Sequence, residues 1–338
     1  MTKLKNALLI VLLLALIGMI PLMVSGGKIV CAPDTDNGDD PFDDLFAMLI
    51  PGAYAEEENA FTSEPLPMDL FTPGKQPEAE GYVYDENGNV TRYEDASITV
   101  EMETRAEEKV TWRIAKVKIA DASQLRTAVA GNKISSSKTA YVTALAKKYN
   151  AVVAIGGDDY QNNPDAKSFE YRMGQAARKK SNKLRDILVT DENGDLHIFI
   201  CSDAAKMKQF LADGHTIVNA FTFGPALIMD GECVPIPKDY KYNPTGMEPR
   251  CAIGQTGPLS YVLVVAETET RNGTEGVTME QLADFMFYQM GCQQAYNLDG
   301  GNSAEMVVNN KMYMFDKHNE RDVNDIIYFA SAVTENAD

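Results

Sequence analysis

The chain has 338 residues, 45% of them hydrophobic, which is enough for one large packed domain or two ordinary ones. Its formal net charge of −18 is unevenly spread, because eleven acids and no Lys or Arg lie between Lys28 and Lys75. No stretch resembles a basic footprint, so the composition argues against a nucleic-acid partner.

The N-terminus carries an export signal. Lys3 and Lys5 precede an uncharged apolar run of 18 residues, 7–24, which is longer than most signal-peptide cores and at the lower limit for a membrane span. Positive charge before the run and acids after it predict that the rest of the chain is exported. No clean A-x-A cleavage site follows. Residues 1–27 are therefore predicted to be a signal peptide or, preferably, an uncleaved membrane anchor with the domain on the extracytoplasmic side.

Residues 28–80 are acidic and rich in proline. Such a composition buries too little apolar surface to fold alone, so it predicts a spacer between membrane and domain. An apolar patch at 42–50 is the exception and is typical of a short docking helix. The folded domain is predicted to span 81–338.

The first half of that domain mixes strands with one helix. Alternation and apolar runs predict a strand over 110–119, a helix over 137–149, a buried strand over 151–155 and a hairpin over 186–200 around Asn193-Gly194.

The second half continues in the same way. The patterns predict a helix over 204–211, a hairpin over 226–234, a buried strand over 261–266, a helix from the capping box of Thr278 and Gln281 to Met290, a strand at Asn297, a hairpin through 309–310 and a last strand over 325–330. Hairpins with a few helices predict a single α+β domain around a mixed β-sheet.

Cysteine and histidine give no site. The five cysteines are too scattered for a metal centre, and although Cys233 and Cys251 could pair, free buried thiols are favoured. His197, His215 and His318 lack ligand spacing, so none is predicted to be a zinc ligand or a triad base. The basic stretch 178–185 is predicted to be a solvated loop.

Four apolar strands end abruptly at glycine and polar residues, a form that can hold site residues rigidly. They are A-V-V-A-I-G-G-D-D-Y (151–160), F-T-F-G-P-A-L-I (221–228), P-R-C-A-I-G (249–254) and N-L-D-G-G-N-S (297–303). Each alone is more often a turn, but four in one domain favour a shared site.

As an ordered set over roughly residues 110–330, these segments resemble the phosphodiester glycosidases, the family of the "uncovering" enzyme that removes N-acetylglucosamine from mannose 6-phosphate. Members typically show A-x-N-G-G-[YF]-F, F-x-x-G-P-x-L, R-[ST]-A-I-G and N-L-D-G-G-G-S-[ST] in this order. The stretch R-D-V-N-D-I-I (321–327) is similar to the family's C-terminal R-x-V-x-N strand.

The resemblance implies a hydrolase that cleaves a sugar from an anomeric phosphodiester, as in a cell-surface polysaccharide, with a phosphosugar or glycan as its partner. Such chemistry needs a carboxylate and a cradle for phosphate. Asp299 is the first choice for the carboxylate, Asp158 for a second acid and Arg250 for the phosphate. The residues expected to bind substrate or brace the site are Gly156, Gly157, Asn297, Gly300, Gly301, Ser303 and Arg321, with Asn324 beside them.

Two departures from the family pattern bear on activity. Ile155 stands where the family has Asn, and Asn302 and Ala304 replace the third Gly and the Ser or Thr of the closing motif. If the third Gly is needed for a positive φ, Asn is the next most tolerant residue.

Other hypotheses stay open at this point. Loss of the Asn at position 155 is consistent with a non-catalytic glycan or cell-wall-polymer binding protein, and a role in exopolysaccharide assembly is a third alternative. No cofactor is predicted, although Asp158 and Asp159 with Asp299 offer oxygen ligands for a divalent cation.

Overall fold

The structure is a computed structural model that describes residues 63–107, 110–131, 133–134, 138–158, 170–178, 185–267, 276–314 and 320–333. These residues belong to one compact unit, Asn59–Asp338. Within these ranges no helix has the length and apolar character needed to cross a membrane. The predicted anchor at 7–24 and the patch at 42–50 lie outside the described residues.

The largest sheet has nine strands in the order β1-β2-β3-β4-β16-β15-β17-β13-β14. Its members are β1 (Tyr82–Tyr84), β2 (Val90–Glu94), β3 (Ile98–Glu107), β4 (Val110–Ile119), β13 (Ala226–Met229), β14 (Glu232–Cys233), β15 (Arg250–Gly257), β16 (Ser260–Glu267) and β17 (Gln294–Leu298).

Two five-stranded sheets complete the framework. One has the order β11-β10-β12-β8-β9, with β8 (Glu170–Arg172), β9 (Gln175–Arg178), β10 (Ile187–Thr190), β11 (Leu196–Phe199) and β12 (Asn219–Phe221). The other has the order β19-β18-β7-β21-β5, with β5 (Leu125–Val129), β7 (Ala151–Gly156), β18 (Met306–Val308), β19 (Lys311–Met312) and β21 (Asp325–Ala330). A small ribbon pairs β6 (Ala140–Tyr141) with β20 (Asp322–Val323).

Each large sheet carries its own helix. Helix α1 (Val142–Lys148) packs Val142, Leu145 and Ala146 into the same apolar cluster as Ala154 and Tyr328. Helix α2 (Ala204–Ala212) packs Met207 and Phe210 with Ile187 and Val189 of the second sheet. Helix α3 (Met279–Asp284) begins at the predicted Thr278/Gln281 capping box and continues as a π-helical turn, Phe285–Gln289. There Phe285 stacks on Trp112 of the nine-stranded sheet, with ring centroids 3.8 Å apart.

The main apolar cluster gathers side chains from all three sheets, including Val117, Ile253, Leu188, Ile155 and Phe329. Burial of this kind stabilises by about 25 cal/mol per Å² of apolar surface.

The three sheets and few helices confirm the predicted α+β class. The expectation of a mixed sheet needs correction, because every strand pairing found among the described residues is antiparallel.

Most predicted elements are found at or near their predicted bounds. The strands at 110–119 and 325–330 match as predicted, and the hairpins around Asn193-Gly194, Asp230-Gly231 and Asn309-Asn310 are present. The helix predicted over 137–149 is shorter, because Ala140 and Tyr141 extend to pair with Val323 and Asp322.

Residues 63–80 differ from the predicted spacer. Leu66 and Leu70 are buried, and Gly74 donates its N–H to the Tyr149 carbonyl. The fully buried Arg126 donates through one nitrogen, Nη2, to the carbonyls of Pro67, Asp69 and Thr72 at 2.9–3.0 Å. A buried guanidinium can hold a proline-containing segment in this way because backbone carbonyls remain free to accept, a long-range contact that local composition does not report. The packed fold thus begins before Gly81.

Candidate functional site

The four glycine-punctuated strand ends meet in space. Asp299 donates its N–H to the Gly157 carbonyl at 3.1 Å, and Gly301 donates to Pro249 at 2.8 Å. Asn297 donates through its side-chain amide to the Gly224 carbonyl at 2.7 Å. The predicted convergence of segments 151–160, 221–228, 249–254 and 297–303 is therefore present in every part of them that the structure describes.

The turn after β17, residues 299–303, is named the Asp299 loop. Its glycines are required for two reasons. Gly301 has a φ of +59°, in the left-handed region that favours glycine. A side chain on Gly300 would meet the Pro249 carbonyl oxygen at 2.8 Å. Asn302 has no positive φ, so its replacement of the family glycine imposes no strain on the loop.

The base of the site is a buried ionic group, named the ionic floor and made of Asp158, Arg172 and Asp325. Their side chains are at most 1% exposed. Arg172 Nε donates to Asp325 Oδ2 at 2.6 Å, and its Nη2 lies 3.8 Å from Asp158 Oδ2. The Arg172 guanidinium also lies over the Phe221 ring at 4.2 Å. One cation thus lies beside two buried carboxylates.

This arrangement perturbs Asp325. Burial raises the pKa of Asp325 above its ordinary value, Arg172 opposes the shift, and the nearby Asp158 adds to it. Gly157 allows the close approach, because a Cβ there would lie 2.4 Å from Asp325 Oδ1. Asp325 also accepts the Asp158 N–H at 2.8 Å, so it fixes the backbone of the second predicted acid.

Segment 221–225 crosses between the floor and β17, with a cis peptide bond between Gly224 and Pro225. Thr222 donates its N–H to Asp158 Oδ2 at 2.7 Å, while Asn297 donates to Gly224. Asp158 Oδ1 and Asn297 Oδ1 are both buried and accept no hydrogen bond within the described residues. Two buried acceptor oxygens without donors are costly unless a ligand or water satisfies them.

Arg250 does not present its guanidinium as a phosphate ligand would. It donates to the carbonyls of Val277, Tyr242, Asn243 and Gly246 at 2.7–3.1 Å and is 3% exposed. Burial lowers the pKa of Arg250 to about 10, partly offset by Glu248, so the group stays charged at neutral pH. This geometry assigns Arg250 the positioning of segment 242–246 rather than the phosphate contact predicted for it.

Arg321 differs from Arg250. Its side chain is exposed, and no hydrogen bond or ion pair of its guanidinium is found within the described ranges. Its backbone N–H donates to Glu305 Oε1 at 2.7 Å, and Glu305 in turn accepts through its carbonyl from Gly156 at 3.3 Å. These contacts place Arg321 beside the Asp299 loop and the end of β7.

Four residues around the site were missed by sequence analysis. Glu305 follows the closing stretch 297–303 and was given no role, and Asp325 was predicted only as the start of the last strand. Arg172, in the unremarkable run Y-R-M-G, gave no signal, because its partners are 14 and 153 positions away. Arg185, assigned to a solvated basic loop, is buried and donates to the Phe223 carbonyl at 2.9 Å.

The two departures at 155 and 304 occupy the interior. Ile155 is 0% and Ala304 1% exposed, and both belong to the main apolar cluster. Ser303, by contrast, keeps its place in the Asp299 loop, where its carbonyl oxygen would lie 2.6 Å from a side chain on Gly156. Asn324 is buried, and its carbonyl accepts from Ala130 at 2.8 Å, which suits a bracing role.

The cysteine prediction is confirmed in part. Cys201, Cys233, Cys251 and Cys292 are free, so no Cys233–Cys251 bond forms, but Cys201 and Cys233 are exposed rather than buried. The spacing along the sequence did not indicate that Asp191, His197 and His215 bring three ligand atoms within 4.8 Å of one another. For the other metal hypothesis, Asp159 lies outside the described residues.

A family model described as "Phosphodiester glycosidase" matches residues 149–330, more than half of the chain. The chain belongs to this family, as the motif resemblance implied. A comparison with curated protein sequences finds no match.

Among solved structures, the chain is similar to the zebrafish N-acetylglucosamine-1-phosphodiester alpha-N-acetylglucosaminidase catalytic domain, described as auto-inhibited by its pro-peptide. The TM-score is 0.55 at 14% identity, with 74% of this chain and 87% of that chain covered. It is also similar to a hypothetical protein from Synechocystis, with a TM-score of 0.46, 16% identity, and 69% and 62% of the two chains covered. The zebrafish likeness supports the fold alone.

Proposed function

We propose that this chain is a hydrolase that cleaves a sugar from an anomeric phosphodiester, with Asp299 as the reacting carboxylate. One observation carries the proposal. The strand ends that resemble the family's motifs bring together Asp158 Oδ1 and Asn297 Oδ1. These two buried oxygens accept no hydrogen bond within the described residues, and they lie beside a partly exposed Asp299. Sugar hydroxyls are the donors that such oxygens would accept.

The chemistry follows from the position of Asp299. Its carboxylate lies at the surface of a rigid turn whose backbone is fixed to Gly157 and Pro249. It would either take a proton from water that attacks the anomeric carbon or attack that carbon itself. As the new bond to the anomeric carbon forms, the C–O bond to the phosphate breaks and the phosphate monoester leaves with the electron pair. If Asp299 itself attacks, water then hydrolyses the resulting sugar ester, which releases the free sugar and restores the carboxylate. Phosphate is a good leaving group, so a strong general acid is not needed.

Arg321 is assigned the phosphate, in place of Arg250. The exposed guanidinium of Arg321 is available for a bidentate contact, whereas that of Arg250 is used by four backbone carbonyls. Glu305 would position Arg321 through the hydrogen bond to its N–H.

The proposal extends to the substrate class and to the cellular location of the enzyme. The apolar run at 7–24 with Lys3 and Lys5 before it supports export and membrane attachment, and an exported enzyme of this class meets cell-surface polysaccharides. The proposed substrate is therefore a surface glycan whose sugars are joined through anomeric phosphodiesters.

The test is release of free sugar from a panel of sugar-1-phosphodiesters by the full chain. Asp299→Asn keeps the size of the side chain and removes the charge, so turnover should fall at least about 100-fold. Asn302→Asp is the matched control, since it places a carboxylate on an exposed part of the same loop and should change turnover less than about 3-fold. Turnover that survives Asp299→Asn would contradict the assignment of Asp299.

A second candidate is a glycan-binding protein without turnover. It is favoured by the apolar burial of Ile155 and Ala304, where family members carry polar side chains. Binding of a sugar phosphate without any sugar release from the panel would establish this candidate instead.

A further inference from the structure

A second polar cluster lies away from the candidate site, on the five-stranded sheet of β8–β12. Asp191 directly follows β10, His197 lies in β11, and His215 follows helix α2. At the opposite end of β10, Asp186 accepts the N–H of Ala226 within segment 221–228. Asp191 lies five positions after Asp186 along an extended strand, a distance of about 16 Å. The cluster is therefore separate from the glycosidase-type site.

The ligand atoms have the spacing of a metal centre. Asp191 Oδ2 lies 3.0 Å from His197 Nε2 and 3.3 Å from His215 Nδ1. All three atoms fall within 4.8 Å of one another. Ligands at 2.0–2.2 Å around a tetrahedral zinc ion lie roughly 3.3 Å apart, so small shifts would accommodate the ion.

One of these atoms lacks a suitable partner. His215 Nδ1 is buried and makes no hydrogen bond, even though it is close to Asp191 Oδ2, because the contact does not have hydrogen-bond geometry. A cluster held only by protons would be expected to align both imidazoles on the carboxylate. A metal ion bound by both groups instead requires His215 Nδ1 to point at the ion, which lies beside Asp191 Oδ2, and not at the oxygen itself.

The surroundings hold the three groups in place. The ring of His215 stacks on Phe210 with centroids 4.5 Å apart, and His197 packs edge-on against the same ring at 4.8 Å. The second oxygen of Asp191 accepts the N–H groups of Asn193 and Asp195, each at 2.9 Å. Such outer contacts fix ligand orientation in metal sites.

We propose that Asp191 Oδ2, His197 Nε2 and His215 Nδ1 bind one zinc ion that joins the β10–β11 hairpin to the end of helix α2. Two imidazoles and one carboxylate favour zinc over magnesium or calcium, which take oxygen ligands. The fourth position is taken by water or by Glu192, whose Oε1 lies 3.7 Å from His215 Nδ1. The role is structural, because the site is remote from the Asp299 loop.

The experiment uses the full chain without a polyhistidine tag, stripped with a chelator and then titrated with ZnCl2 or MgCl2. We expect one zinc per chain by elemental analysis and a melting midpoint raised by about 5 °C at 100-fold excess over the dissociation constant, with no shift for magnesium. Cobalt should give the visible absorption of a tetrahedral site. His197→Gln and His215→Gln should each lower zinc affinity at least 100-fold, and His318→Gln, which changes the remaining histidine of the chain, should leave it unchanged.

Circular dichroism of the metal-free variants identifies any that fail to fold. In that case Asp191→Asn, which preserves shape and hydrogen-bond acceptance, provides the same comparison. Zinc retention at full stoichiometry in folded His197→Gln or His215→Gln would overturn the proposal. So would a wild-type chain that binds no zinc at micromolar concentration, which would leave a hydrogen-bonded cluster only.

Discussion

The ionic floor and the Asp299 loop meet at Gly157, whose backbone bonds to both Asp325 and Asp299, and they differ in burial. The floor is buried, and each charge of Asp158, Arg172 and Asp325 is held by another. Backbone hydrogen bonds from Asp299 to Gly157 and from Gly301 to Pro249 hold the Asp299 loop, and Asp299 is partly exposed. The charges of the floor are buried, whereas the carboxylate that is proposed to react is partly exposed. The same division separates Arg250 from Arg321.

Removing a member of the floor should have the largest effect. Asp325→Ala leaves the Arg172 Nε–H and the Asp158 N–H without their acceptor in the interior. Each lost buried contact costs about 1–3 kcal/mol, more for a charged group, so the free energy of unfolding should fall by about 3–5 kcal/mol. Urea denaturation followed by circular dichroism measures this. Asp299→Ala is the comparison and should cost less than about 1 kcal/mol; equal losses would show that the floor and the loop do not differ as described.

Ile155 tests where the interior ends. Ile155→Asn puts an amide into the main apolar cluster, so the expected loss is about 2 kcal/mol in the free energy of unfolding. Ile155→Val, which only removes a methylene, should cost about 1 kcal/mol. If Ile155→Asn keeps wild-type stability and raises sugar release, the side chain at this position faces the site rather than the interior.

The two arginines give a smaller and more specific contrast. Arg321→Ala should raise KM for a sugar-1-phosphodiester about 10-fold with little loss of stability, because an exposed cation is removed. Arg250→Ala should instead lower stability, because four carbonyls lose their donor. Kinetics and urea denaturation on both variants give the comparison. A raised KM for Arg250→Ala without destabilisation would support Arg250 as the residue that binds the phosphate.

The smallest effect concerns pH. Because burial raises the pKa of Asp325 above 3.8, the folded state binds a proton more tightly there than the unfolded state does. This contribution to stability is present below the unfolded pKa and is lost as pH rises through the folded pKa. The free energy of unfolding of the wild type should therefore fall relative to that of Asp325→Asn as pH rises above about 4. Urea denaturation at several pH values checks the sign, and an opposite slope would mean that Arg172 dominates.

Sequence predicted the parts of the site that are local. The turn chemistry of Asp299-Gly300-Gly301 and the abrupt ends of β7 and β17 are visible in a few consecutive residues, and so were found. The contact between Arg172 and Asp325 in the ionic floor was not predicted, because it spans 153 positions and neither residue departs from an ordinary strand pattern. The contacts of Arg250 were not predicted for a related reason, since a motif shows that an arginine is present but not what surrounds its guanidinium.

The same limit explains the histidines. His197 and His215 are 18 positions apart and their ligand partner Asp191 belongs to a hairpin turn, so no short spacing links them. Only the packing of helix α2 on the second sheet brings them together. The segment 63–80 was likewise judged by composition, whereas its packing depends on contacts distant in sequence, including those of Arg126 and Tyr149.

Glu64 and Ala332 are joined by a backbone hydrogen bond of 3.3 Å, and Lys75 pairs with Ser331. The first and last described segments of the domain, at residues 64–75 and 331–332, therefore lie side by side. A short glycine-rich connector between them should permit circular permutation, with new termini opened at the exposed turn of Asn87 and Gly88. In the permuted domain the N-terminal region would no longer be attached. Its sugar release would therefore report whether that region is needed for activity.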